Sequence, residues 1–220
     1  MSSIGEPIEV HLKSTSLARS ICEHLPWPRL MGKVIAVGGE SASGKSTTAL
    51  ALKQHLTAEG QPVVLLHMDG YFHLAPKENH ERRKASLKHV GLNEINLPLL
   101  QHHIDQFREG STQIEVPKVD YFRNVIESEP ITIPNEAALI IEGTYALYLK
   151  SVDFSIFLAR TYNESKSIRM NRIREVYDPF VESVLKIEHQ IVSESKRNAQ
   201  LSISSDFNIE PLISEVNQPK

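Results

Sequence analysis

Apolar residues gather along the chain in short continuous runs, separated by longer stretches in which polar and apolar positions mix. This is the pattern of parallel strands buried on both faces and joined by helices. The runs are Lys33–Val37 (KVIAV), Val63–His67 (VVLLH), Ala138–Glu142 (ALIIE) and Asp153–Leu158 (DFSIFL), with Leu201–Ser204 as a last short strand. Ser46–Glu59, rich in Ala and Leu, predicts a helix with Gly60 placed as its stop, and Leu97–Phe107 predicts another ended by Gly110. Asn163–Val176 and Pro179–Asn198 read as charged helices. In residues 8–25, Leu12, Leu17, Ile21 and Leu25 recur at roughly helical spacing until Pro26 and Pro28 close the segment.

Two segments lack a clear period. Residues 71–92 are polar and read as a loop with a short helix. Residues 114–133 alternate in places and contain two prolines, which predicts a small hairpin or flap beside the main sheet. Strands alternating with helices predict an α/β fold, a doubly wound parallel sheet with right-handed crossovers. The expected organisation is a helical lead-in over 1–30 and one domain over 31–220, with a flap at about 112–134 and a lid at about 160–180.

Composition narrows the function classes. The chain has 220 residues, 40% of them hydrophobic and 23% charged, enough to bury a real core. A net charge of −3, from 24 basic and 27 acidic residues, argues against nucleic acid or an anionic membrane as the main partner. The one cysteine, Cys22, allows no intrachain disulfide, in keeping with a reducing cytoplasm. The acidic, polar amino terminus lacks the core of a signal peptide, and no apolar run approaches the ~20 residues that span a membrane. A cytoplasmic protein is expected.

The strongest chemical signal is Gly39-Glu40-Ser41-Ala42-Ser43-Gly44-Lys45-Ser46-Thr47, which matches G-x-x-x-x-G-K-[ST]. Its glycines allow a backbone path on which successive amides point at one anion, reinforced by the amino end of the following helix. Lys45 then reaches the β- and γ-phosphates and Ser46 ligates Mg²⁺. A bare glycine turn is the competing reading. The motif follows an apolar strand and precedes a helix, which is the context that ATP binding requires.

Ligands of open α/β sheets bind outside the carboxyl ends of the strands. Two further strand ends carry acids there. Asp69, just after VVLLHM, is placed to accept or orient the proton of an attacking hydroxyl, and Glu142 to hold Mg²⁺ through water. Either acid alone could equally cap a helix or form a salt bridge.

Gly39–Thr47, Asp69-Gly70-Tyr71-Phe72, Val116-Pro117-Lys118-Val119-Asp120-Tyr121 and Ile141-Glu142-Gly143 occur in one order. In this the chain resembles the uridine kinase and phosphoribulokinase group of P-loop kinases, from residue 33 to about 206. The resemblance implies the P-loop nucleoside triphosphate hydrolase fold and transfer of the γ-phosphoryl group of ATP to a hydroxyl of a small molecule. It implies Asp69 as the base, Glu142 beside Mg²⁺, and Asp120 and Tyr121 lining the acceptor pocket. Tyr71, Phe72 and Arg123 belong to the same expected pocket. The chain departs from the family pattern at Val119, where a tyrosine is usual, and at Asn124, where a histidine often stands. His89-Val90-Gly91-Leu92-Asn93-Glu94 stands where the family has H-P-D-A-F-D, and reads as lacking its acid.

Arg169, Arg172 and Arg174 follow the strand DFSIFLA and suit a lid that neutralises charge during transfer, Arg169 and Arg172 foremost. A solvated helix face paired with nearby acids is the alternative. Arg160 and Lys166 stand at the margin of this group, and Glu81–Lys84 reads as a solvated face. The ten histidines show no metal-ligand spacing. Uridine or cytidine is the acceptor the resemblance favours. A sugar, pantothenate or another metabolite stays open, as do an ATP-binding regulatory protein without kinase activity and a homo-oligomeric state.

Overall fold

The computed structural model describes residues 12–170 and 178–211. Six strands form the main sheet: β1 (Val34–Gly39), β2 (Val63–His67), β5 (Ala138–Gly143), β6 (Phe154–Leu158), β7 (Leu201–Ile203) and β8 (Ile209–Pro211). Their order is β2-β5-β1-β6-β7-β8; the first five run parallel and β8 lies antiparallel on the edge. The edge strand β8 was not anticipated, because its three residues carry no apolar run. β3 (Gln113–Asp120) and β4 (Val125–Thr132) pair into a separate antiparallel hairpin.

The continuous apolar runs are explained by burial on both sides of the sheet. Along β1, Val34 and Ala36 face one core while Ile35 and Val37 face the other. In β5, Leu139 and Ile141 alternate in the same way with Ala138 and Ile140. The first core is covered by α4 (Leu97–Arg108) and α6 (Pro179–Ser195) through Leu100, Ile104, Phe107 and Val192. The second is covered by α1 (Leu12–Glu23) and α2 (Lys45–Ala58) through Leu17, Ile21, Leu52 and Leu56. The sheet is therefore doubly wound.

Residues 71–92 hold more order than their composition suggests. They include α3 (Pro76–Ala85) and three-residue turns of 3-10 helix at Leu87–His89 and Leu92–Glu94. Helix α3 shows no apolar period because ion pairs rather than hydrophobic contacts dock it. Of the charged stretch over 163–176, α5 (Lys166–Met170) is seen, and Arg172 and Arg174 lie outside the described residues. Helix α6 starts at Pro179 with Asp178 as its cap, whose Oδ1 accepts from the Phe180 amide at 2.9 Å.

Candidate active site

The phosphate loop leaves β1 at Gly39. A Cβ there would lie 2.7 Å from the Leu158 carbonyl oxygen and 2.9 Å from Ser43 Oγ, so only glycine lets the chain turn so close to β6. Glu40 braces the loop from outside. Its carboxylate accepts from the Tyr162 amide at 2.6 Å and from His189 Nδ1 on α6 at 2.7 Å. Ser165 Oγ donates to the Ser41 carbonyl at 3.1 Å.

Inside the loop the polar groups are arranged for an anion. The Ser43 hydroxyl is fully buried and finds no partner among the described residues. Helix α2 begins on Gly44 with no side-chain cap, so its first amides keep their donors for another acceptor. Lys45 is buried, and its Nζ donates to the Glu40 carbonyl at 2.8 Å. An unmatched hydroxyl, uncapped amides and a lysine on one loop fit the phosphates of a nucleotide.

Glu142, next to last in β5, stands directly opposite His67 in the parallel register. Its Oε1 accepts from Ser46 Oγ at 3.0 Å and from His67 Nδ1 at 2.7 Å. Burial opposes ionisation of Glu142, but the hydrogen bond and charge of His67, with Lys45 and Ser46, hold its carboxyl below the usual range. Burial likewise opposes protonation of His67, yet the hydrogen bond and charge of Glu142 raise its pKa. Ser46 and Glu142 together present hard oxygen donors beside the loop, a set that fits Mg²⁺.

Asp69 sits in a turn of 3-10 helix (Met68–Tyr71) just beyond β2. Its Oδ2 accepts from the Tyr121 hydroxyl of the hairpin at 2.7 Å. The strand-end acids Asp69 and Glu142 thus lie on the edge that carries the phosphate loop.

Several expected acceptor residues are occupied elsewhere. Tyr71 is turned into the core, 2% exposed, with its hydroxyl 2.7 Å from His103 Nδ1, so no acceptor can stack on its ring without unpacking it. Asp120 serves the hairpin turn: Oδ1 accepts from the Phe122 and Arg123 amides and Oδ2 from Arg123 Nε at 2.7 Å. Those bonds hold its carboxyl below the usual range, the Arg123 amide first. Arg123 is further engaged by Glu127 at 2.8 and 2.6 Å. Phe72 packs partly buried against the core beneath the Arg83 guanidinium. Arg169, expected in a lid over the phosphates, is 6% exposed and ties the Tyr162 carbonyl, Ser165 Oγ and Glu182 of α6 together.

Other residues enter that the sequence reading passed over. Arg83, placed there on a solvated face, is half-buried and donates to Glu94 at 2.5 and 2.9 Å and to Glu188 of α6 at 3.0 Å. Glu94 is itself buried and also accepts from Asn79 and from the Gly91 amide. The 89–94 stretch therefore does keep an acid, in its last position. The Tyr145 hydroxyl, buried within the electrostatic reach of Glu188, Arg83 and Glu94, has no hydrogen-bond partner among the described residues. Glu94 three residues after Gly91 has capping-box spacing, which is the signal that could have marked it. Nothing in the local sequence marks Glu188 or His189 as partners of residues 105 and 149 positions earlier.

The comparisons agree with this geometry. The family described as "Phosphoribulokinase / Uridine kinase family" matches residues 34–187. The bifunctional alpha-galactosidase/sucrose kinase of Mediterraneibacter gnavus is 28% identical over 80% of this chain, which spans 20% of that longer enzyme. The uridine kinase of Halobacterium salinarum is 24% identical over 79% of this chain and 80% of its own. The solved structure of a possible uridine kinase from Bacillus stearothermophilus superposes with a TM-score of 0.58, at 20% identity, over 86% of this chain and 96% of the other. With its phosphate loop and strand-end acids in place, this chain belongs to the phosphoribulokinase and uridine kinase family of ATP-dependent kinases.

Proposed function

We propose that the chain transfers the γ-phosphoryl group of ATP to a hydroxyl of a nucleoside-type acceptor, uridine or cytidine first. The observation that carries this reading is the Asp69 carboxylate on the strand end beside the phosphate loop, fixed by Tyr121 at 2.7 Å. In this role Asp69 takes the proton of the acceptor hydroxyl as its oxygen bonds to the γ-phosphorus and the bond to the ADP oxygen breaks. Lys45 swings from the Glu40 carbonyl to the β- and γ-phosphates, and residues 39–47 hold the rest of the triphosphate through backbone amides. Ser46 and Glu142 would hold Mg²⁺, which when bound would supply positive charge against that of the phosphates. Little covalent chemistry is demanded of the protein; position and charge suffice.

The flap over 112–134 brings Tyr121 to Asp69 and, in this reading, closes the acceptor side. The lid expected over about 160–180 is kept for the phosphate side, with Arg169 bracing its start through Tyr162, Ser165 and Glu182 rather than touching phosphate, and with the charge-neutralising role assigned from the sequence to Arg172, which lies outside the described residues. A sugar is the second reading. It is favoured by Val119 and Asn124, which stand in the flap where the family usually has a tyrosine and often a histidine.

A coupled ADP assay over nucleosides, sugars and pantothenate separates the two. In Asp69→Asn, turnover of the accepted substrate is expected to fall about 100- to 10,000-fold, while ATP affinity by calorimetry stays unchanged. Unaltered turnover would remove Asp69 from its role. ATP binding without transfer to any compound would favour a regulatory protein instead.

A further inference from the structure

The last residue of β2 is His67, two positions before Asp69 and directly opposite Glu142 of β5. It ends an otherwise apolar strand, VVLLH, so its polar side chain stands where the strand meets the site rather than in the core. Glu142 is buried, 4% exposed, whereas the His67 side chain is 43% exposed. An ionised carboxylate that deep cannot draw on bulk water, so its hydrogen bonds must come from the protein.

Both donors that reach Glu142 end on the same oxygen. Ser46 Oγ donates to Oε1 at 3.0 Å and His67 Nδ1 at 2.7 Å. They come from different elements, the first turn of α2 and the end of β2, so the carboxylate is pinned by its Oε1 from two directions. The histidine bond is not needed to join the strands. Five backbone pairs, from Val63↔Ala138 to His67↔Glu142, already do so. What the bond does decide is which oxygen Glu142 presents. With Oε1 held twice, Oε2 is the one left for a cation.

We propose that His67 is a positioning residue for Mg²⁺: it fastens Oε1 so that Glu142 offers the cation, or a water on it, the single oxygen Oε2. The inference rests on the reading of Ser46 and Glu142 as the Mg²⁺ ligands. Outer hydrogen bonds orient a ligating carboxylate, and losing one costs about 10- to 100-fold in metal affinity or activity. Offering one oxygen suits Mg²⁺, which keeps several waters and takes few carboxylates in a strict octahedral shell. Ca²⁺ accepts both oxygens of one carboxylate in a looser shell. His67 therefore also favours the smaller ion.

The test is calorimetry of ADP on the full chain, in EDTA and over a series of Mg²⁺ concentrations. In His67→Ala the affinity for ADP in EDTA should stay within about twofold, while the Mg²⁺ concentration giving half of the metal-dependent gain rises about 10- to 100-fold. With Ca²⁺ in place of Mg²⁺ the rise should be smaller, because a freed Oε1 can join the larger ion's shell. His67→Asn keeps a side-chain N–H on an atom bonded to Cγ, where Nδ1 stands, and should restore most of the Mg²⁺ affinity. A mere packing role for the imidazole ring would give no such rescue. In turnover, His67→Ala should raise the Mg²⁺ requirement by the same factor and leave the KM for the acceptor unchanged. An unchanged Mg²⁺ requirement in His67→Ala would overturn the proposal. So would equal losses of ADP affinity with and without metal, which would mean a distorted loop. If Mg²⁺ did not alter ADP affinity in the unsubstituted chain, the Mg²⁺ site itself would fall, and the role of His67 with it.

Discussion

Gly70, next to Asp69, offers a sharp test of how the acceptor carboxylate is positioned. A Cβ at Gly70 would lie 2.2 Å from the Pro117 carbonyl oxygen and 2.9 Å from its carbonyl carbon. Carbon and oxygen seldom approach closer than about 3.3 Å, so Gly70→Ala must part the two segments by about 1 Å. No rotamer can relieve this, because Pro117 belongs to the backbone of β3, held in register by β4. The displaced segment carries Asp69, and its partner Tyr121 is fixed to the far end of β3. A 1 Å misplacement at the reacting group costs roughly 100-fold, or about 2.7 kcal/mol of barrier. In the coupled ADP assay, kcat of Gly70→Ala is therefore expected to fall about 100-fold. ATP affinity should stay within about twofold, since residues 39–47 are untouched. A variant that turns over at the parent rate, whatever its melting temperature, would refute the idea that close backbone contact with the hairpin sets the Asp69 position.

Two further outcomes follow from the buried cluster. Burial holds the Glu188 carboxyl above the ordinary carboxylate range, despite the pull of Arg83 and Lys45. The folded chain then keeps a proton that the unfolded chain releases, so this stabilisation is complete below about pH 4.3 and fades as pH climbs through the raised native value. Glu188→Gln, fixed in the neutral form, should gain on the parent in melting temperature as pH rises from 4 to 8; a constant difference across that range would contradict the buried-proton account. The Tyr145 hydroxyl lacks a partner, and an unmatched buried hydroxyl costs about 1–3 kcal/mol. Tyr145→Phe is expected to raise stability by about 1 kcal/mol in urea unfolding, and a loss would mean the hydroxyl is paired after all.

The sheet and its phosphate loop were legible because they obey local rules. A strand buried on both faces is a short apolar run, and KVIAV and ALIIE are nothing else. The motif at 39–47 encodes its own backbone path. Asp69 and Glu142 could be named because strand ends place ligands, and the structure brings both to the loop's edge. The acceptor side was less legible because pairing there is non-local. Asp120 has the residue type for binding hydroxyls, but whether it does so depends on Arg123 and two amides that claim it first. Arg83 lies in a run, ERRK, that looks solvated until Glu188 arrives from a helix more than a hundred residues later. Strand β8 is too short to announce itself.

Strand β1, with the phosphate loop at its tip, has neighbours that are both made late: β5 begins at Ala138 and β6 at Phe154. Closing such distant pairs is the slow part of assembling a parallel sheet. A fragment cut anywhere between Thr47 and Ala138 would contain the whole nucleotide motif and neither of the strands that flank it. During synthesis, then, the capacity to hold ATP cannot appear with the motif, which is made before either flanking strand. It must wait until β5 and β6 have been made.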